Sequence, residues 1–217
     1  MARDDPVVVQ SQQRDHVAEV VVDARDGDAL KRAVGGLEGV LAVAGDVADP
    51  EHRRRLVEAA GNSIDALVNN ASVLGPSPQP VLADYPLAEL RRVYEINVLA
   101  PLALVQLALP RLTDGARILN ITSDAAVEPY ETWGGYGSSK AALAQITAVL
   151  GVEHPGLRFY AVDPGDMRTQ MHQEAFPGED ISDRPPPEES VPGLLRLIEG
   201  DAPSGLFRAR DLVEASA

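Results

Sequence analysis

Short apolar runs alternate with amphipathic stretches along the chain. Glu19-Val20-Val21-Val22 reads as a buried strand, and Asp28 to Val34 as the helix after it. Val40 to Val43 is a strand ending at Gly45-Asp46. Asp49-Pro50 starts a helix through about Ala60, with Asp as N-cap and Pro in the first helical position. Ile64 to Val68 is a strand ending at Asn69-Asn70. A long helical stretch covers Leu87 to about Leu109 and is kinked near Pro101. Arg117 to Ile121, Leu157 to Val162 and Gly205 to Arg208 are further strands; Gly135 to Leu150 and Val191 to Ile198 are further helices. Apolar strands alternating with helices predict a doubly wound parallel sheet in three layers, helices on both faces, as a single domain over residues 1–217. The stretch 168–187, rich in Pro and acids, is too long for a plain connector and reads as a mobile flap inserted over a site.

Composition narrows the function. The 217 residues carry 45% apolar and 24% charged side chains, which suits one globular domain with a sizeable core. The net charge of −14 repels phosphate backbones and anionic lipid, so nucleic acid and membrane surfaces are not expected partners. No run of 18 apolar residues and no apolar leader is evident. Cysteine is absent, which removes disulfide and thiolate chemistry and fits a cytoplasmic location. His16, His52, His154 and His172 lack ligand spacing, so no metal site is expected.

In an open α/β sheet, ligands sit at the carboxyl ends of the strands. Asp46, Asn69, Asn70, Ser123 and Asp163 gather at those ends here. The sharpest signal is Tyr136-Gly137-Ser138-Ser139-Lys140. At i and i+4 on a helix, a phenol and an ammonium share one face. Lys140 is one of only two lysines among 19 basic residues. A nearby cation favours phenolate and brings tyrosine toward general-acid range.

Ser123 lies thirteen residues before Tyr136, Asn97 lies in the preceding helix, Asn69-Asn70-Ala71 follows one strand, and Pro164-Gly165 with Thr169 follows another. With these residues the sequence resembles the short-chain dehydrogenase/reductase family over about residues 18–170, with its Rossmann-like fold. The resemblance implies that Tyr136 exchanges a proton with a substrate carbonyl or alcohol. It implies that Lys140 tunes the phenol and holds the nicotinamide ribose, that Ser123 holds the carbonyl oxygen, and that Asn97 supports a proton relay. Asp46 and Val47 would lie against adenine, and Asn69 and Ala71 would line the cofactor cleft. Pro164, Gly165 and Thr169 would hold the nicotinamide end. Arg25 stands where NADP-preferring members carry a ligand for the 2′-phosphate. A homodimer or homotetramer is the family's usual assembly.

One element departs from the family. No glycine precedes Gly27, so the glycine-rich turn that meets the pyrophosphate has no counterpart. Pro6 to Val9 reads as a first strand, but nine residues, Gln10 to Ala18, cannot carry a turn and a crossover helix. The first βα unit is therefore truncated. The first reading is an oxidoreductase using NADP(H) rather than NAD(H), with Gln10, Ser11, Gln12, Gln13 and Arg14 as substitute phosphate donors. The alternatives are an acid/base enzyme (isomerase, lyase or dehydratase) that uses no cofactor, and a non-catalytic subunit paired with a complete relative.

Overall fold

The computed structural model describes residues 7–11 and 19–214, with residues 7–11 and 214 as backbone only. Seven strands form one sheet: β1 (Val7–Ser11), β2 (Glu19–Asp23), β3 (Val40–Ala42), β4 (Ile64–Asn69), β5 (Leu112–Ile121), β6 (Arg158–Asp163) and β7 (Gly205–Arg208), in the order β3-β2-β1-β4-β5-β6-β7. Six strands run parallel, as expected. The exception is β1, which pairs antiparallel with both β2 and β4. Only residues 12–18 separate it from β2. A parallel crossover needs a dozen or more residues, whereas a reversal needs few, so the short link turns the strand around.

Eight α-helices accompany the described strands: α1 (Gly27–Val34), α2 (Pro50–Ala59), α3 (Leu87–Tyr94), α4 (Ala100–Ala108), α5 (Gly134–Glu153), α6 (Gln170–Ala175), α7 (Val191–Glu199) and α8 (Ala209–Glu214). Asp26 caps α1 by accepting from Asp28 N and Ala29 N, and Asp49 caps α2 with Pro50 behind it. These caps satisfy amide donors that the first turn leaves unpaired. The long helix predicted over 87–109 is present as α3 and α4 joined by a π-helical turn, Glu95–Leu99. Pro101 lacks the N–H that would bond the Asn97 carbonyl in an α-helix, and the register loosens just before it. By length and composition this run, 87–111, is apolar enough to cross a membrane, and half of its apolar window is buried inside the protein.

The two faces of the sheet are covered differently. On one face, Val21, Leu67, Ile118 and Phe159 meet Leu56 and Val57 of α2, Leu104 and Val105 of α4, and Leu150 of α5 in one continuous core. On the other face, β5 and β6 pack on α7 and α8 through Leu119, Tyr160, Val162 and Leu197. At the far side of that face, Val22 meets Leu30 of α1 in a separate cluster. Among the described residues no helix bridges these two clusters over β1, where a full first βα unit would place one.

The fold generates a packing test at Gly45, after β3. Its absent side chain makes room for the His52 ring: a Cβ there would stand 2.2 Å from Nδ1. His52 is fully buried, and its Nε2 lies 2.8 Å from Asp23 Oδ2. Gly45→Ala should therefore destabilise the fold by about 1–3 kcal/mol in urea unfolding, the usual cost of overpacking. An unchanged midpoint would mean that the His52 ring is free to move aside.

Candidate active site

Tyr136 sits in the first turn of α5, and Gly137 beside it allows that turn to approach the end of β5. A Cβ at Gly137 would lie 2.7 Å from the Ala125 carbonyl oxygen. The approach sets Tyr136 beside Ser123, whose extended backbone ends β5. Ser123 Oγ donates to Asp124 Oδ1 at 2.9 Å and accepts from Ala125 N at 3.2 Å. The phenol is buried, and burial is the main cause that pushes its pKa up. Hydrogen bonds with the hydroxyls of Ser72 and Ser123 pull it partly back.

Lys140 lies one turn further along α5. Its Nζ is 5.5 Å from the centre of the Tyr136 ring and donates to the Ile121 carbonyl at 2.7 Å. The side chain is buried, and desolvation lowers its pKa to about 7. The juxtaposition expected from the i, i+4 spacing is therefore present, but its electrostatics differ from the expectation. Desolvation raises the phenol and depresses the ammonium, and the ammonium is directed to a β5 carbonyl.

Asn97 lies in the π-helical turn, fully buried. Its Nδ2 donates to the Val73 carbonyl at 2.9 Å and to Ser139 Oγ at 3.0 Å. Its Oδ1 accepts from Val73 N at 2.9 Å and from Ser72 Oγ at 3.2 Å. Ser72 thus stands between Asn97 and Tyr136, a link the sequence reading missed. The signal was available: Ser72 is a hydroxyl only three residues beyond the end of β4, on the edge where the other polar residues gather.

Two hollows meet at Ser72. The larger is an open cleft of about 770 Å³, counting the solvent at its mouth, lined by Ser123, Tyr136, Lys140, Pro164, Gly165 and Thr169 among others. The smaller, about 320 Å³, is lined by Arg25, Asp46, Val47 and Ala71, with Asp23 and Ser72. Every predicted site residue lines one hollow or the other except Asn69 and Asn97, which stand behind them. Asn69 is buried, and its Nδ2 donates to Asn120 Oδ1 at 2.7 Å, tying β4 to β5. Its neighbour Asn70 lines the cleft instead, because successive strand residues point to opposite sides.

The stretch 168–187 adjoins the cleft and contains α6, too short a helix for periodicity to reveal. Thr169 Oγ1 caps it by accepting from His172 N at 3.1 Å. Arg168 N donates to the Pro185 carbonyl, and Ser77 Oγ to that of Glu174. Of the expected substitute phosphate donors, Gln10 and Ser11 are not placed for that task. Because β1 is reversed, Gln10 and Ser11 pair with Val20 and Glu19 at the amino end of β2, opposite the cleft. Gln12, Gln13 and Arg14 lie outside the described residues.

Comparison with known proteins agrees with this geometry. The family profile described as short chain dehydrogenase matches residues 11–180. A 1-deoxy-11-beta-hydroxypentalenate dehydrogenase of Streptomyces exfoliatus is 34% identical over 72% of this chain and 61% of its own. A benzil reductase of Saccharomyces cerevisiae is 31% identical over 67% of this chain and 59% of its own. The chain thus spans about three-fifths of the length of these curated relatives. A putative short chain dehydrogenase of Escherichia coli, solved with NADPH, superposes with a TM-score of 0.78 at 25% identity, over 88% of this chain and 85% of its own.

The buried lysine makes a signed prediction. With its folded pKa near 7, below the ordinary 10.5, the folded state binds fewer protons than the unfolded chain between those values. Its contribution to stability should therefore rise from pH 7 to pH 10 and be at its worst below pH 7. Lys140→Met should remove that rise and gain on the parent most at acidic pH, as read by urea unfolding at several pH values. Parallel pH profiles for the two proteins would show that Lys140 titrates normally.

Proposed function

From its membership of the short-chain dehydrogenase family, to which this chain belongs by the profile match over residues 11–180, we propose that it is an oxidoreductase. It reduces the carbonyl of a small molecule, with NADP(H) as the preferred cofactor. The observation that carries the reading is the Tyr136 phenol, held protonated by burial at the wall of the cleft and hydrogen-bonded by two serine hydroxyls.

The residues present fit a dinucleotide at its two ends. Arg25, Asp46, Val47 and Ala71 surround the smaller hollow, where an adenosine end would sit. Lys140, Pro164, Gly165 and Thr169 line the cleft, where the nicotinamide end would sit. Arg25 lines the smaller hollow and brings a guanidinium charge to the place where a 2′-phosphate would sit. The NADPH complex of the E. coli relative points the same way. When bound, the cofactor supplies the hydride.

The remaining chemistry belongs to the chain. The substrate oxygen enters between Ser123 and Tyr136. Ser123 turns its hydroxyl from Asp124 toward that oxygen. Tyr136 gives up its proton as negative charge develops there, in a setting where water no longer screens the interaction. The phenolate left behind is stabilised by Ser72, whose hydroxyl turns from Asn97 Oδ1 to the phenolate. Lys140 adds its positive charge when it is protonated. Burial keeps the phenol protonated, which is the form that reduction requires.

A second reading is favoured by one observation. With β1 reversed, the described residues hold no strand-to-helix turn of the usual kind after it at the carboxyl edge for a pyrophosphate. In that reading Tyr136 and Ser123 perform acid/base chemistry alone, as an isomerase, lyase or dehydratase.

NADPH titration and carbonyl-dependent NADPH oxidation decide between the two. Tyr136→Phe should lower kcat by about 10²- to 10⁴-fold, the range of one general acid, while leaving cofactor affinity close to the parent's. Arg25→Ala should weaken NADPH binding by about tenfold or more, the worth of one charge-assisted contact, and barely change NADH binding. Absence of NADPH binding at millimolar concentration would overturn the oxidoreductase and favour the second reading.

A further inference from the structure

The cleft has a charge as well as a shape. Asp124, Asp163 and Asp166 all line it. Asp124 Oδ1 accepts from Ser123 Oγ and Ala125 N, and Oδ2 accepts from the Tyr130 hydroxyl at 2.9 Å. Asp163 accepts from Gly165 N, and two arginines act on it, Arg208 from 4.0 Å and half exposed, and Arg210 through space. Asp166 is exposed on the same wall. These carboxylates are hydrogen-bonded or solvated more than they are neutralised. Asp124 and Asp163 both act through space on the Tyr136 phenol, raising its pKa.

Few cations oppose them. Lys140 is buried beside the phenol with a pKa near 7. His172 Nε2 accepts from Arg184 Nε at 3.4 Å. The neighbouring stretch adds Glu179, Asp180 and Asp183 against Arg168 and Arg184.

The apolar part of the same cleft is aromatic. Trp133 meets the Tyr136 ring edge-on, with centroids 5.8 Å apart, and packs at the same separation against Phe176. Leu74, Met171 and Ala175 complete that wall. Thr122 also lines the cleft. Its Oγ1 is buried and has no hydrogen-bond partner among the described residues, so a ligand would find an unmet polar group beside the aromatic wall.

We propose that this cleft takes aromatic carbonyl compounds that are neutral or cationic and rejects those that carry an anionic group. The aromatic wall supplies stacking and edge contacts to a flat substrate. The carboxylates that line the same cleft repel a second negative charge and attract a positive one. The inference rests on the reading of this cleft as a carbonyl site, and it extends that reading to the kind of carbonyl compound.

Trp133 is the chain's single tryptophan, so its fluorescence reports occupancy of the cleft without requiring turnover. Three matched probes are titrated: 4-acetylbenzoate, its neutral methyl ester, and 4-acetyl-N,N,N-trimethylanilinium. The ester and the trimethylammonium compound should quench Trp133 saturably. The carboxylate should bind about tenfold more weakly than the ester, the order expected of two or three partly screened charges. Asp166→Asn, an exposed change outside the reacting groups, should narrow that gap two- to fourfold, as should added salt. Carboxylate binding equal to ester binding would overturn the proposal, and so would a gap unchanged by both Asp166→Asn and salt. No saturable quenching by any probe would overturn it too. Discrimination in binding without NADPH-dependent reduction of the ester would sustain the charge selection while defeating the oxidoreductase reading.

Discussion

A single buried amide joins the parts on which the site depends. Asn97 reaches the loop after β4 through Val73 and Ser72, and reaches α5 through Ser139. A buried amide left unpaired is costly, so its four hydrogen bonds fix the π-helical turn, the β4 loop and α5 relative to one another. Ser139 passes the constraint on by donating to the Tyr136 carbonyl at 2.6 Å. A second buried line, Asn69 to Asn120 to Thr147, ties β4, β5 and α5 behind the cleft. Tyr136 and Lys140 hang from a helix that polar contacts hold on two sides.

The same burial that fixes these residues sets their chemistry. Removing water from around Tyr136 and Lys140 disfavours the charged form of each. In the ligand-free cleft the phenol keeps its proton and the lysine is on the edge of losing its own. Two hydroxyls, Ser72 and Ser123, counter the effect on the phenol. The carboxylates of Asp124 and Asp163 reinforce it. The balance leaves the phenol protonated at the wall of the cleft.

The reversed β1 has consequences on both edges of the sheet. It keeps the sheet continuous, since β2 and β4 both pair with it. It also sets the carboxyl end of β1, Gln10 and Ser11, beside Val20 and Glu19 at the amino end of β2, away from the cleft. The two hollows persist around it because they are built at the ends of β2, β3, β4, β5 and β6 and on α5, which the short link leaves in place.

Much of this was legible in the sequence, for local reasons. Val20 to Val22, Ile64 to Val68 and Arg117 to Ile121 are apolar runs with polar ends, and a parallel sheet is the packing that buries them. Asp49-Pro50 carries its own helix start. The spacing of Tyr136 and Lys140 fixes their shared face once a helix forms. The nine residues after Val9 rule out a crossover by length alone. The sequence could not show which Asn of the pair at 69 and 70 faces the cleft, since that follows from the strand's pairing partners. Nor could it reveal Ser72 beside the phenol, His52 against Asp23, or the Lys140 ammonium directed to a carbonyl. Those contacts join residues 19 to 64 positions apart, and only packing of the whole chain brings them together and removes the water that sets their pKa values.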